Sequence, residues 1–291
     1  MSHISFFNGK FIPTNEVELN FLDNFLTVVR GYQVFTFLKT TNQGQPIFLD
    51  YHIDRLFNNA QKMKMIVKES KDSVKNLVSE TLSKNDCSNQ ECSIMITFLG
   101  GKSVDSSGLI TEDPSHLLIL ITPARNHSQE FYDNGISVGI FEHARSNADL
   151  KAPMTYAAAL FAQNTLVKDG TYDEVLYTDG NKVLEGTTFS FFIITHDGVV
   201  VTSKADGSIL SSITRLVLLD ILKNNQIDVE ERDLTLDEVY QSRETFIASS
   251  TRDVIPVISV ADTVIADGKV GNLTKRVMDL YQSELSKIKS N

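Results

Sequence analysis

Lys151 is the residue of this chain that most suggests covalent chemistry. It lies in Ser146-Asn147-Ala148-Asp149-Leu150-Lys151-Ala152-Pro153, between a strand pattern and a helix pattern, where folds tend to display reactive groups. Its amine could act as a nucleophile or tether. A lysine taken alone is ordinarily a solvated surface charge, so its company matters. Glu185 opens Glu185-Gly186-Thr187-Thr188-Phe189-Ser190-Phe191-Phe192, a carboxylate leading into an aromatic run, where an acid calls for a cationic partner. Arg55, in Asp50-Tyr51-His52-Ile53-Asp54-Arg55-Leu56, could aim a fork of donors into a cleft, where it suits a phosphate dianion. Ser211-Ser212-Ile213-Thr214-Arg215 is a hydroxyl-rich helix start whose free N–H groups make an anion site. Ala248-Ser249-Ser250-Thr251 is a polar turn after a strand pattern. Each piece also has a plain structural reading: a strand-end acid, a helix-surface arginine paired with Asp54, a serine N-cap.

The elements that must position these residues fall into two groups. In the first, Ile4 to Phe7 is followed by the hairpin signal Asn8-Gly9, and Phe35 to Lys39 and Pro46 to Leu49 read as further strands. Ile53, Leu56, Phe57, Ala60 and Met63 recur at helical spacing within Leu49 to Met65, behind Asp50 as a possible cap. Asp72 to Lys84 reads as a second helix, and Ser93 to Leu99 and His116 to Ile121 as strands. The second group holds strands at Ile136 to Glu142, Glu174 to Thr178, Thr188 to Thr195, Val199 to Thr202 and Glu244 to Ala248. Its helices are Thr155 to Asp169, closed by Gly170, then Ile213 to Asn224 and Val270 to Lys289. Asp179-Gly180 and Asp197-Gly198 mark turns. We therefore expect an α+β chain with a small N-terminal domain over residues 1–121, a connection over 122–132, and a larger domain over 133–291.

Composition narrows the function classes. With 42% hydrophobic and 22% charged residues, the 291-residue chain can bury a sizeable core without covalent staples. The net charge of −10 leaves no basic surplus for phosphodiesters, so nucleic acid is not an expected partner. Cys87 and Cys92 lack the His/Cys company of a zinc site and read as bystanders in a reducing compartment; no metal site is expected. No apolar run approaches a membrane span, and the segment MSHISFFNGKF has no basic stretch leading into an apolar core, so a cytoplasmic protein is expected.

Taken in order, the five pieces resemble the motif set of the class IV aminotransferases. These are fold type IV pyridoxal 5′-phosphate (PLP) enzymes that include branched-chain and D-amino acid aminotransferases and aminodeoxychorismate lyases. The resemblance runs from Asn8-Gly9 to Asp267-Gly268-Lys269-Val270-Gly271, with Glu185 standing 34 positions after Lys151 and Tyr156 five positions after it. It implies a two-domain fold, a small N-terminal α/β sandwich and a larger C-terminal mixed β domain with helices. It also implies that Lys151 carries PLP as a Schiff base. Arg55, Ser250 and the N–H groups of Ile213 and Thr214 would hold the phosphate; Glu185 would meet the pyridine nitrogen, Tyr156 the ring oxygen and Thr188 the ring. The implied reaction moves an amino group between an amino acid (branched-chain or D-) and a 2-oxo acid. The alternative within the family is the lyase reaction, which gives 4-aminobenzoate and pyruvate.

The chain departs from the family's pattern in Val29-Arg30-Gly31-Tyr32-Gln33-Val34-Phe35-Thr36. The common glycine-acid-glycine and the glutamate after the aromatic residue are missing, and Tyr32, Gln33 and Thr36 stand in those places. Arg30 replaces the aromatic residue usual in branched-chain enzymes, as in some D-amino acid aminotransferases, whereas Phe35-Thr36 resembles certain lyases. The arginine and histidine of the best-known D-specific enzymes are not visible in Gly101-Lys102-Ser103-Val104-Asp105. Arg30, Phe35 and Thr251 are the expected substrate contacts. The resemblance further implies a homodimer in which the Arg30 loop reaches the neighbouring subunit's site.

Overall fold

A computed structural model describes residues 3–87, 90–125 and 127–288. These divide into two compact units. The first comprises residues 3–125 together with Leu150–Met154 and Ile288; the second comprises 127–149 and Thr155–Lys287.

The first unit is built on β1 (Ile4–Phe7), β2 (Lys10–Pro13), α1 (Phe25–Arg30), β3 (Gln33–Lys39), α2 (Leu49–Lys62), α3 (Lys71–Ser83), β4 (Cys92–Leu99) and β5 (His116–Pro123). Its five strands pair antiparallel in the order β2-β1-β5-β4-β3. The β1–β2 turn uses Asn8 and Gly9, both at positive φ, as the two-residue hairpin signal requires. Alternation along β3 sends Val34, Thr36 and Leu38 to one face, all fully buried, where the helical stripe Ile53, Leu56 and Ala60 of α2 joins the same core. Thr36 is thus a hydroxyl set in an apolar layer, and it has to find polar partners there.

Three expectations fail in this unit. Pro46 to Leu49 is no strand: Pro46 makes one isolated bridge to Thr40, and Phe48 turns left-handed at φ 53 to start α2. The proline offers no N–H with which to continue a ladder. Asp50 does not cap α2; it lies inside the first turn, and its carboxylate pairs with Lys75 of α3 at 2.5 Å. Cys87 and Cys92 are no bystanders, because they are joined in a disulfide, both buried in the core of this unit. The bond joins residues five positions apart at the entry to β4, a proximity the sequence did not announce. Ser88 and Asn89 of that polar segment lie outside the described residues.

The second unit contains α4 (Gln129–Asn134), β6 (Ile136–Glu142), α5 (Ala157–Leu166), β7 (Glu174–Asp179), β8 (Lys182–Gly186), β9 (Ser190–Ile194), β10 (Val200–Thr202) and α6 (Ile213–Asn224). It continues with β11 (Val229–Glu231), β12 (Leu234–Thr235), α7 (Leu236–Tyr240), β13 (Glu244–Ser249), β14 (Asp253–Val260), β15 (Thr263–Val264) and α8 (Asn272–Leu285). One mixed sheet runs β11-β10-β9-β13-β14-β6-β7-β8-β12, with β15 on β14. The sheet and the helices around it match the α+β class expected. β14 was missed from sequence because Pro256 interrupts an otherwise strand-like run. The helix expected over Thr155 to Asp169 opens with a 3-10 turn at Pro153–Tyr156 and ends as α5 at Leu166, with Gly170 in the turn beyond. The strand expected from Thr188 starts only at Ser190, because Gly186 N–H bonds the Phe189 carbonyl and closes a tight bend. A Cβ at Gly186 would meet the Phe189 ring, so the bend requires glycine there. Of the helix expected over Val270 to Lys289, α8 covers Asn272–Leu285, and Lys289 lies outside the described residues.

Candidate active site

The first unit carries Lys151, Arg55, Phe35 and Arg30. The lysine-bearing segment lies along β3, with the Phe35 N–H donating to the Lys151 carbonyl at 3.0 Å. Lys151 is half-buried, and its Nζ sits 5.2 Å from the Phe35 ring centroid, a cation over an aromatic face. On the opposite face of β3, Thr36 Oγ1 accepts from Arg55 Nη2 at 3.1 Å and lies 2.6 Å from His52 Nδ1. His52 is fully buried beside two cations: burial first, then Arg55 and Lys151, hold its pKa well below the ordinary imidazole range. Arg55 and Lys151 are thereby brought close to one buried neutral ring. Arg30 is exposed at the end of α1, which Gly31 closes at φ 65, and its Nε donates to the Gly108 carbonyl at 3.5 Å.

The second unit carries the remaining predicted residues. Glu185, on β8, is buried, and its Oε2 accepts from the Leu210 N–H at 3.1 Å. Its Oε1 lies 3.5 Å from Nε of Arg145, a guanidinium only 5% exposed. Arg145 also donates through Nη2 to the Thr187 carbonyl at 3.0 Å, and its guanidinium carbon lies 5.0 Å from the Tyr156 ring centroid and 5.4 Å from that of Tyr177. One buried arginine therefore ties Glu185 to Tyr156. At the start of α6, Ser212 caps the helix by accepting from the Arg215 N–H, and Ile213 and Thr214 carry the first two helical N–H groups, which have no acceptor within the helix. Thr214 Oγ1 lies 3.3 Å from Ser250 Oγ, so the hydroxyls of the 248–251 turn meet the positive end of this helix. Thr251 Oγ1 is 3.4 Å from Ser249 Oγ. Thr188 is exposed on the bend after β8, where its hydroxyl accepts from Arg252 Nη1 at 2.7 Å, and Arg252 also pairs with the Glu174 carboxylate.

Sequence reasoning missed Arg145, Arg252, His52 and Thr36. Arg145 and Arg252 sit in loop-like stretches where an arginine defaults to the surface. The spacing of His52 and Arg55, one helical turn apart in α2, was the available signal for that pair.

The family model for class IV amino-transferases matches residues 33–260, most of the chain. The chain belongs to the class IV aminotransferases. A D-alanine aminotransferase of Listeria monocytogenes is 27% identical over 265 residues, covering 89% of this chain and 90% of that protein. The fold is similar to that of the branched-chain amino acid aminotransferase of Escherichia coli, with a TM-score of 0.90, 20% identity and coverage of 100% and 97% of the two chains. It is also similar to the branched-chain aminotransferase of Thermobaculum terrenum in its PLP form, with a TM-score of 0.86, 22% identity and coverage of 99% and 95%. Class IV aminotransferases are PLP enzymes, so PLP is the cofactor and amino-group transfer the reaction. These matches do not speak for the lyase reaction. Among the described residues no helix is long and apolar enough to cross a membrane.

Proposed function

We propose that this class IV aminotransferase moves an amino group between a D-amino acid and a 2-oxo acid, with Lys151 as its catalytic residue. The observation that carries the assignment is the setting of Lys151: half-buried, fixed through its carbonyl to β3, with its amine over the Phe35 ring. The donor set suits PLP. It offers an amine for the aldehyde, a buried carboxylate for the ring nitrogen, and hydroxyls at a helix start for a phosphate dianion. When bound, the cofactor supplies a carbonyl that joins amino groups and a ring that accepts electron density.

Every other part of the work falls to the chain. Lys151 would tether the cofactor and would carry the proton taken from the substrate's α-carbon. Glu185 favours a protonated ring nitrogen, and Arg145 holds the carboxylate toward it. Tyr156 meets the ring oxygen, and Thr188 packs on the ring. Arg55, Ser250 and the N–H groups of Ile213 and Thr214 bind the phosphate. Arg30 receives the substrate carboxylate as a bidentate pair, with Phe35 and Thr251 beside the substrate. The D-amino acid preference follows the 27% identical relative and the Arg-Gly-Tyr of residues 30–32. Coupled assays with D-alanine and with L-leucine against 2-oxoglutarate test it, and turnover of L-leucine alone refutes it.

The reading includes a homodimer with shared sites. Phe21, Leu22, Val28 and Val29 are 40–71% exposed around α1, and Leu160 and Phe161 are 65–68% exposed on α5, apolar surface of the kind that self-association covers. A monomeric active enzyme in sedimentation velocity refutes that assembly. The reading also places the enzyme in the cytoplasm, a compartment where a disulfide such as Cys87–Cys92 is uncommon. Cell fractionation tests this, and recovery of the enzyme outside the cytosolic fraction contradicts it.

A further inference from the structure

Thr36 and His52 are two buried polar side chains that the proposed reaction does not use. Thr36 lies between Val34 and Leu38 on the apolar face of β3, where a valine would fit the layer equally well, and His52 is 1% exposed on α2. Burying a hydroxyl and an imidazole there costs free energy unless both are bonded. They are bonded to each other and to Arg55. A guanidinium has donors only, so Thr36 Oγ1 must accept from Arg55 Nη2, and the same oxygen is hydrogen-bonded to His52 Nδ1, 2.6 Å away. Burial, with Arg55 and Lys151 nearby, keeps the ring neutral.

We propose that Thr36 and His52 are positioning residues for Arg55: the sequence guanidinium to hydroxyl to imidazole fixes the direction of the side chain that binds the phosphate of PLP. The inference rests on the phosphate role proposed for Arg55. It adds that a neutral relay holds this arginine. The hydroxyl and the neutral imidazole that orient the arginine add no negative charge beside it. An acid at position 36 would orient Arg55 as well but would offset its charge within a hydrogen-bond length.

The test compares PLP with pyridoxal, which is the same ring without the phosphate, by titrating each into the apoenzyme and following absorbance. Parent protein and Arg55→Ala read the site assignment: the parent should prefer PLP and Arg55→Ala should lose most of that preference. If the parent binds neither, or if Arg55→Ala keeps the preference, the phosphate site is wrongly assigned and the relay falls with it. Given that preference, Thr36→Val should weaken PLP roughly tenfold, the scale of one hydrogen bond to a charged group, while leaving pyridoxal unchanged. Thr36→Ser should restore the parent value, and His52→Leu should show the same selective loss as Thr36→Val. Thr36→Ala removes the same hydroxyl without adding bulk and gives the readout should the valine variant not fold. Parent-like PLP affinity in a folded variant lacking the hydroxyl overturns the proposal. So does an equal loss of PLP and pyridoxal, which would make Thr36 a packing residue.

Discussion

Replacing Arg145 by Met probes whether Glu185 depends on a buried cation. The two side chains are 5% and 7% exposed, so solvent screens their attraction little. Removing one partner of a buried pair strands the other charge at a cost of about 3–5 kcal/mol. The separation of 3.5 Å comes without a hydrogen bond between Nε and Oε1, and Glu185 keeps its bond from the Leu210 N–H, which argues for the lower end. Loss of the Arg145 bond to the Thr187 carbonyl belongs to the same figure. We expect Arg145→Met to cost about 3 kcal/mol, which lowers Tm by roughly 6–12 °C for a cooperative unit of this size. Glu185→Gln removes the other charge, and the double variant should lose much less than the sum of the two singles. Thermal unfolding of the four apoproteins gives the coupling energy directly. A coupling below about 0.5 kcal/mol refutes the argument, because contacting buried charges that do not couple are not a pair.

Lys151→Ala should fold and bind PLP without the borohydride-sensitive absorbance of a lysine-bound cofactor, and it should lose turnover; substantial activity without added amine excludes Lys151. Arg30→Ala should raise KM for amino acids about tenfold or more, the loss of one charge-assisted bond, with PLP affinity unchanged; equal kinetics across several amino acids remove its carboxylate role. His52 has a folded pKa well below its unfolded value near 6.5, so the unfolded chain binds the extra proton first. Its contribution to stability is complete above pH 6.5 and declines as pH falls from there toward the folded pKa, so His52→Leu should flatten that part of the stability profile. A parallel decline in parent and variant, measured by urea unfolding from pH 7 to 5, excludes this histidine as the cause.

The residues legible in the sequence were those whose types have one chemical use in a recognisable order, such as the lysine before Tyr156 and the hydroxyls opening α6. Helices with a strong apolar stripe, α2 and α3, were also legible, and so were strands bounded by clear turns. What stayed hidden depends on contacts made far along the chain. Nothing local marks Arg145 as buried; its surroundings are Tyr156, Tyr177 and Glu185, and the last lies 40 positions away. Thr36 reads as an ordinary β-former, and only its place opposite α2 turns it into an acceptor for Arg55. β14 was concealed by Pro256, which lies where β14 pairs with β13 alone, because β6 joins only from Val257. The disulfide was hidden because composition does not say whether two cysteines five positions apart come within bonding distance.

The segment Leu150–Met154 belongs with residues 3–125 although residues 127–149 of the other unit precede it in the chain. Synthesis from the N-terminus therefore leaves the first unit unfinished when residue 125 emerges: the Phe35 N–H has no carbonyl to meet until Lys151 has been made. A truncation ending at residue 125 would lack this segment, and a fragment beginning at residue 126 would contain the lysine without its strand. Lys151 thus enters its setting beside Phe35 only after more than half the chain exists.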